Sequence, residues 1–163
     1  MTILLAGGWQ VPAAAVLWAV VVAVAGGLLT EIGPWYRRLR KPSWQPPDWA
    51  FGPAWTLIFL LAAAAAVLAW NGAPDVAAKW RIVALYVVNG VLNIGWSLFF
   101  FRLRRPDLAL AEVVALWLSI LAMVIGVASL SSLAALLLVP YLAWVTFAAA
   151  LNRAVVHLNP RPA

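Results

Sequence analysis

The sequence has no cysteine, a single histidine (His157) and only five acidic residues against eleven basic ones in 163 positions. Without cysteine there is no disulfide, no thiolate nucleophile and no thiolate ligand, and one imidazole cannot by itself build a metal site. Charge of either sign is scarce, 10% of residues, where a soluble domain carries roughly a quarter. Such a chain cannot cover a globule that faces water on every side. Nucleophile triad, acid–base pair and phosphate-binding glycine loop are all missing, which leaves a conventional hydrolase or transferase nothing to work with. The net charge of +6 does not form a stripe on a polar domain. The basic residues sit beside apolar runs, where lipid headgroups attract them, so the expected partner is membrane lipid and not nucleic acid.

What the chain has in abundance is apolar length. Hydrophobic residues make up 66% of the sequence and the mean hydropathy is +0.98. A membrane-crossing helix needs about 20 predominantly apolar residues, and the sequence offers five such runs, at about 11–30, 48–70, 78–101, 107–130 and 133–157. The fold class expected is an all-α membrane protein, a five-transmembrane-helix bundle in one domain over 1–163, with a lid-like loop at 31–47. No side-chain charge precedes Val11, so Ala23, Val24 and Ala25 make a poor signal-peptide cleavage site and the first run is read as a mature helix. Pro46 and Pro47 cannot continue the second helix backwards, which makes Asp48 its expected cap, and Asn71-Gly72 its expected closing turn. Pro140 falls inside the fifth run, where a local kink is expected.

Five spans put the first loop, third loop and C-terminus on one side. That side carries Arg37, Arg38, Arg40, Lys41, Arg102, Arg104, Arg105, Arg153 and Arg161, nine basic residues, against Lys79 and Arg81 opposite. The C-terminus is therefore expected to be cytoplasmic. Alanine- and arginine-rich usage without cysteine points to a bacterial cell membrane. No internal repeat marks an alternating-access carrier, and an odd span number does not divide into equal halves. Small residues, Gly90 and the run Ala62 to Ala66, permit close helix approach.

The aromatic and polar residues leave alternatives open. Pro42, Pro46 and Pro47 stiffen a loop that bears Trp35, Tyr36, Trp44 and Trp49, large amphipathic rings suited to a rigid lid or to an interfacial belt. Trp9, Trp18, Trp70, Trp80 and Trp117 read as belt or lipid-facing residues. Asn89, Asn93 and Ser97 recur at four-residue steps on one face of the third span, with Trp96 and Phe100 beside them. They suit a ligand site or helix-to-helix hydrogen bonding. Trp144, Ala148 and Asn152 form a similar line on the fifth span, where Ala148 leaves room for a ring edge. Glu112, the one acid clearly inside a span, is expected to pair with Arg102, Arg104 or Arg105 near the interface. The Arg37, Arg38, Arg40 and Lys41 cluster suits a topology and headgroup signal, or pairing with acidic ligand groups.

The segment from Trp35 through Arg37-Arg38-Leu39-Arg40-Lys41-Pro42-Ser43-Trp44-Gln45-Pro46-Pro47, on through Trp49 and Phe51 to Trp55, resembles the first loop and second-helix start of the translocator protein / tryptophan-rich sensory protein family. Three further blocks agree in order and spacing: Asn89 to Trp96 with Phe99 to Phe101; Glu112; and Pro140-Tyr141-Leu142-Ala143-Trp144 followed by Phe147, Ala148, Leu151 and Asn152. The resemblance covers nearly the whole chain. It implies five helices around a pocket for porphyrins and other flat hydrophobic ligands, closed by the first loop, and commonly a homodimer. The ligand-binding set it implies is Trp44, Trp55, Phe59, Asn89, Asn93, Trp96, Phe100, Trp144, Phe147 and Ala148.

Some family members are described as degrading porphyrin in light through two pocket tryptophans, which makes Trp55 and Trp144 candidate photochemical residues here. The leading reading is a tetrapyrrole-binding regulator or receptor, with a light-dependent porphyrin-degrading enzyme and a small carrier as alternatives. No cofactor is required; a protoporphyrin IX-like ring is the expected ligand. His157 stands at the far end of the fifth span, and Tyr86, Tyr141, Met123 and Met1 are weak axial ligands, so metal-free porphyrin is expected in preference to haem. Two departures bear on ligand range. Arg153 stands where animal members place a tyrosine of their sterol pattern, and the reversed pattern Arg81, Tyr86, Val88 is too permissive to replace it. Leu108 stands where several members have tryptophan, which is expected to alter the pocket wall.

Overall fold

The structure, a computed structural model, describes residues 8–160; Met1 and Arg161 lie outside the described residues. Five long helices dominate: α1 (Gln10–Leu29), α3 (Phe51–Gly72), α4 (Val76–Ser97), α5 (Pro106–Ala128) and α6 (Ser132–Leu158). With their flanking turns all five are long and apolar enough to cross a membrane. In hydrocarbon no water is available to backbone N–H and C=O groups, so runs this long fold as helices that satisfy them internally. Large apolar side chains such as Val20, Leu57, Val91, Leu118 and Leu136 lie exposed on the outer faces, the pattern of a bundle solvated by lipid.

Around the bundle the helices contact in the order α1, α3, α6, α5, α4 and back to α1, so the ring closes between the first and third spans. Small residues set its tightness. Ala62, Ala65 and Ala69 along α3 are fully buried among Ile82, Tyr86, Met123 and Leu138. Gly90 of α4 faces Trp18 and Val22 of α1, the close approach that its size permits.

Asp75 caps α4, its carboxylate accepting from Ala78 N at 2.7 Å, and Ser131 caps α6 by accepting from Ala134 N at 3.2 Å. Two sequence expectations about helix ends are corrected. Asp48 does not cap α3: it opens a short 3-10 turn (Asp48–Ala50) before that helix, and its carboxylate is turned to the loop. Asn71 and Gly72 belong to the last turn of α3, which ends two residues beyond the expected end at Trp70. Within the lid-like loop at 31–47, Pro34 at a helix start seeds α2 (Pro34–Arg38).

Two tryptophans also turn inward, against the belt expectation. Trp18 donates from Nε1 to Tyr86 O at 2.9 Å and meets Phe59 and Tyr86 edge-on, with ring centroids 6.0 and 5.0 Å away. Trp70 is buried, with Lys79 Nζ 5.2 Å from its ring centre. The indole of Trp117 donates to Thr146 Oγ1 at 2.8 Å, tying α5 to α6. Trp9 and Trp80 are exposed.

After Ser97 the helix widens into a π segment, Leu98–Arg102, closed by Leu103 N donating to Leu98 O at 2.9 Å, five residues back. Arg104 then adopts φ 55°, the left-handed region that an arginine rarely visits, and the chain reverses into α5.

Candidate functional site

Between α1, α3, α4 and α6, beneath the first loop, lies a cavity of about 540 Å³. Its side walls are aromatic. Trp55 and Phe59, one helical turn apart on α3, stack with centroids 5.3 Å apart, and Trp144 of α6 stands nearly perpendicular to Trp55 at 6.3 Å. On the α4 side Trp96 stacks on Phe100 at 5.2 Å and also meets Phe101 at 5.9 Å. An α-helix brings i and i+4 together; the wide π turn is what lets Trp96 touch i+4 and i+5 at once.

Of the residues expected to bind ligand, Trp55, Phe59, Asn93, Trp96, Phe100, Trp144 and Ala148 line this one cavity. Asn89, Trp44 and Phe147 do not, and each has a geometric reason. Asn89 is four residues, about 6 Å, further along α4 than Asn93, where Tyr141 closes the floor. Its Oδ1 accepts from Tyr141 OH at 3.1 Å and its Nδ2 donates to Ser119 Oγ at 2.9 Å. Tyr141 OH in turn accepts from Asn93 Nδ2 at 2.9 Å, so the polar face of α4 serves helix packing at Asn89 and faces the cavity only from Asn93 upward. Phe147, three residues beyond Trp144, sits on the neighbouring face and backs that indole at 5.5 Å. Trp44 packs edge-on against Phe147 at 5.7 Å, a second layer behind the wall.

Further expectations are corrected at the same end of the bundle. Glu112 pairs with none of the arginines of the third loop. Arg102 and Arg104 reach Glu31 at the end of α1, at 3.1 and 3.8 Å, and Arg105 is held by Asp107 at 2.7 Å. The π segment and the left-handed Arg104 carry those guanidiniums outward. The carboxyl of Glu112 is buried beside Gly95 with no hydrogen-bond partner among the described residues. Leu108 is 39% exposed and does not border the cavity, because the inward face of α5 runs through Ala109, Val113 and Leu116. Asn152 braces α5 against α6: with its amide oriented to satisfy both partners it donates to Pro106 O at 3.0 Å and accepts from Leu110 N at 3.1 Å.

The first loop, expected as a lid, covers the cavity. Tyr36 of α2, Gln45 and Asp48 border it from the loop. Tyr36 OH donates to Asp48 Oδ1 at 3.2 Å, and Gln45 Nε2 donates to both Tyr36 OH and Asp48 Oδ1 at 3.3 Å. Burial, with Asp48 beside it, pushes the Tyr36 phenol up to about 12. Lys41 Nζ rests 3.6 Å from the centre of the same ring, a cation–π contact. At the far edge Asn159, just past α6, accepts from Arg40 N at 2.9 Å and donates to Arg40 O at 2.8 Å. Arg37, Arg38 and Arg40 are exposed and none of them borders the cavity. The sequence signal for this cover was the density of Trp, Tyr and Pro in the loop; Asp48 reads there as a helix cap and nothing in the sequence joins it and Gln45 to Tyr36.

Comparison with known proteins agrees with this architecture. Residues 14–158 match the model of the TspO/MBR family. The chain is 39% identical to the tryptophan-rich protein TspO of Chlorobaculum tepidum over 147 residues, 85% of this chain and 89% of that protein. It is 36% identical to the protein of the same name in Archaeoglobus fulgidus, over 90% of this chain and 95% of the relative. Human translocator protein is 34% identical over 126 residues, 77% of this chain and 75% of its own length.

Proposed function

Because the chain belongs to the TspO/MBR family of multi-pass membrane proteins, we propose that it binds a tetrapyrrole or similarly flat hydrophobic molecule inside the bundle and acts as a membrane receptor or regulator of tetrapyrrole handling. The observation that carries this reading is the aromatic cavity itself. Its volume of about 540 Å³ falls within the range of about 300–1,000 Å³ usual for small-molecule sites. Stacked Trp55 and Phe59, perpendicular Trp144 and the Trp96–Phe100 pair present faces and edges to a conjugated disc. Asn93 offers the one amide of α4 at the floor.

The test is titration of the purified full chain with protoporphyrin, followed by quenching of tryptophan fluorescence. Binding is expected to saturate, and Trp55→Phe and Trp144→Phe are each expected to weaken it. Absence of quenching, or variants that bind as the parent does, would sink the reading.

A second reading, light-dependent degradation of the bound ring, is favoured by one specific feature: Trp55 and Trp144 lie 6.3 Å apart, and the Trp144 Nε1 is buried without a hydrogen-bond partner among the described residues. An indole so placed is available to give an electron to an excited ring, with dioxygen as the final oxidant. Illumination of the complex in air separates the two: an absorbing product formed by the parent and not by the double Phe variant indicates an enzyme, and unchanged porphyrin indicates a binder. Uptake of the ring into sealed vesicles would instead indicate a carrier. The same proposal includes a homodimer in a bacterial cell membrane with its C-terminus in the cytoplasm.

A further inference from the structure

The cavity mouth has an electrostatic character that its ring-lined interior does not disclose. No lysine or arginine is among the described residues that border the cavity, and its one carboxylate is Asp48. That carboxylate is only loosely engaged. Oδ1 accepts from Tyr36 and Gln45 at 3.2 and 3.3 Å, longer than the about 2.5–2.9 Å usual when a carboxylate accepts a strong bond. Asp48 Oδ2 accepts no hydrogen bond among the described residues, and no cation comes within ion-pair distance of either oxygen. Lys41 is engaged with the face of the Tyr36 ring. Anything that passes the mouth meets a negative charge with unused acceptor capacity, while the loop's guanidiniums do not border the cavity.

We infer that Asp48 is the specificity-determining residue of the mouth: it favours flat ligands whose edge there is neutral, donates a hydrogen bond or carries positive charge, and it disfavours a carboxylate at that edge. The inference rests on the reading that the cavity is the ligand site, and it narrows the ligand class. A ring that brings an acidic edge to the mouth binds more weakly than its neutral ester. Two unit charges about 6 Å apart in a partly hydrated mouth, with an effective dielectric of about 40, change affinity about tenfold. Because Asp48 is exposed, physiological salt, with a Debye length of about 8 Å, reduces the effect.

The experiment compares protoporphyrin, a dicarboxylate, with its dimethyl ester on the full chain in lipid nanodiscs at low salt. The ester is intrinsically more hydrophobic, so the readout is the change in the ester-to-acid affinity ratio between variants. Asp48→Asn keeps an Oδ1 acceptor for Tyr36 while removing the charge, and its ratio is expected to fall about tenfold. Tyr36→Phe breaks the latch but keeps the charge, and its ratio is expected to match the parent's. A porphyrin bearing amines in place of the acids is expected to reverse the sign, losing affinity in Asp48→Asn. A ratio unchanged in Asp48→Asn, or lowered as much by Tyr36→Phe, overturns the inference while leaving the cavity reading intact. If neither ligand quenches the parent's tryptophans, cavity reading and inference fall together.

Discussion

Gly90 fixes how near α1 and α4 can lie. A Cβ built there would stand 2.9 Å from Trp18 Nε1 and 3.1 Å from Val22 Cγ2. The indole cannot step aside without giving up its bond to Tyr86 O and its edge contacts with Phe59 and Tyr86. Gly90→Ala is therefore expected to destabilise the bundle by about 1–3 kcal/mol, read as a lower melting temperature in detergent. Tyr36 yields a pH prediction. Its phenol is raised above an unperturbed value of about 10 to about 12, so the folded state holds that proton more tightly than the unfolded chain does. The stabilisation is fully present below about pH 10 and is lost as pH rises through about 12. Alkaline titration of tyrosinate absorbance, as a difference between the parent and Tyr36→Phe, is expected to place this ionisation near the upper end of that window; a midpoint near 10 would contradict the latch. At this scale the sequence disclosed residue type but not direction. Asn89 and Asn93 share a face at helical spacing, yet only the position of Tyr141, on a helix 48 residues further along the chain, decides which of them meets the cavity.

The first loop is held as an element at two places. Tyr36, Gln45 and Asp48 tie it to the start of α3, and Asn159 grips both backbone groups of Arg40 while also donating to Val155 O. Two bonds lost together, each contributing about 0.5–1.5 kcal/mol, correspond to a lid that opens roughly 10–100 times more often. Asn159→Ala is expected to speed hydrogen exchange across 31–47 by about that factor and leave the interior of α3 and α6 unchanged; uniform protection would show that the clamp carries no weight. The five long helices were legible because bilayer thickness imposes a length and hydropathy scale on each one. The loop's inner organisation was not. α2 is a five-residue helix, too short for any periodicity, and Asp48 reads as a cap in sequence because a carboxylate before an apolar run usually is one. Its partners are Tyr36 and Gln45, and nothing in their spacing announces the contact.

For the whole molecule, the proposed orientation rests on the asymmetry of basic residues, nine against two. Five of the nine, Arg37, Arg38, Arg40, Lys41 and Arg153, take part in no ion pair among the described residues, whereas Arg102 and Arg104 meet Glu31, and Arg105 meets Asp107. A reporter fused after residue 163 is expected to be active only in its cytoplasmic form; activity in the exported form would reverse the assignment. The ring order α1, α3, α6, α5, α4 was not readable from five apolar runs of similar composition. It depends on which small faces meet, with Gly90 against Trp18 closing the circle.

The π segment Leu98–Arg102 gives that circle a phase. An α-turn advances about 100° per residue, and one turn widened to a five-residue hydrogen bond absorbs an extra residue without lengthening the wall. Two of the three consecutive phenylalanines thereby reach different rings of the lid, Phe100 to Trp35 and Phe101 to Tyr36, while both meet Trp96. The spacing of the chain here works like the tooth count of a gear. Deleting any one residue between 98 and 102 is expected to restore α-helical spacing, in which Trp96 no longer meets rings at i+4 and i+5 together and the contacts of Phe100 and Phe101 with the lid are lost.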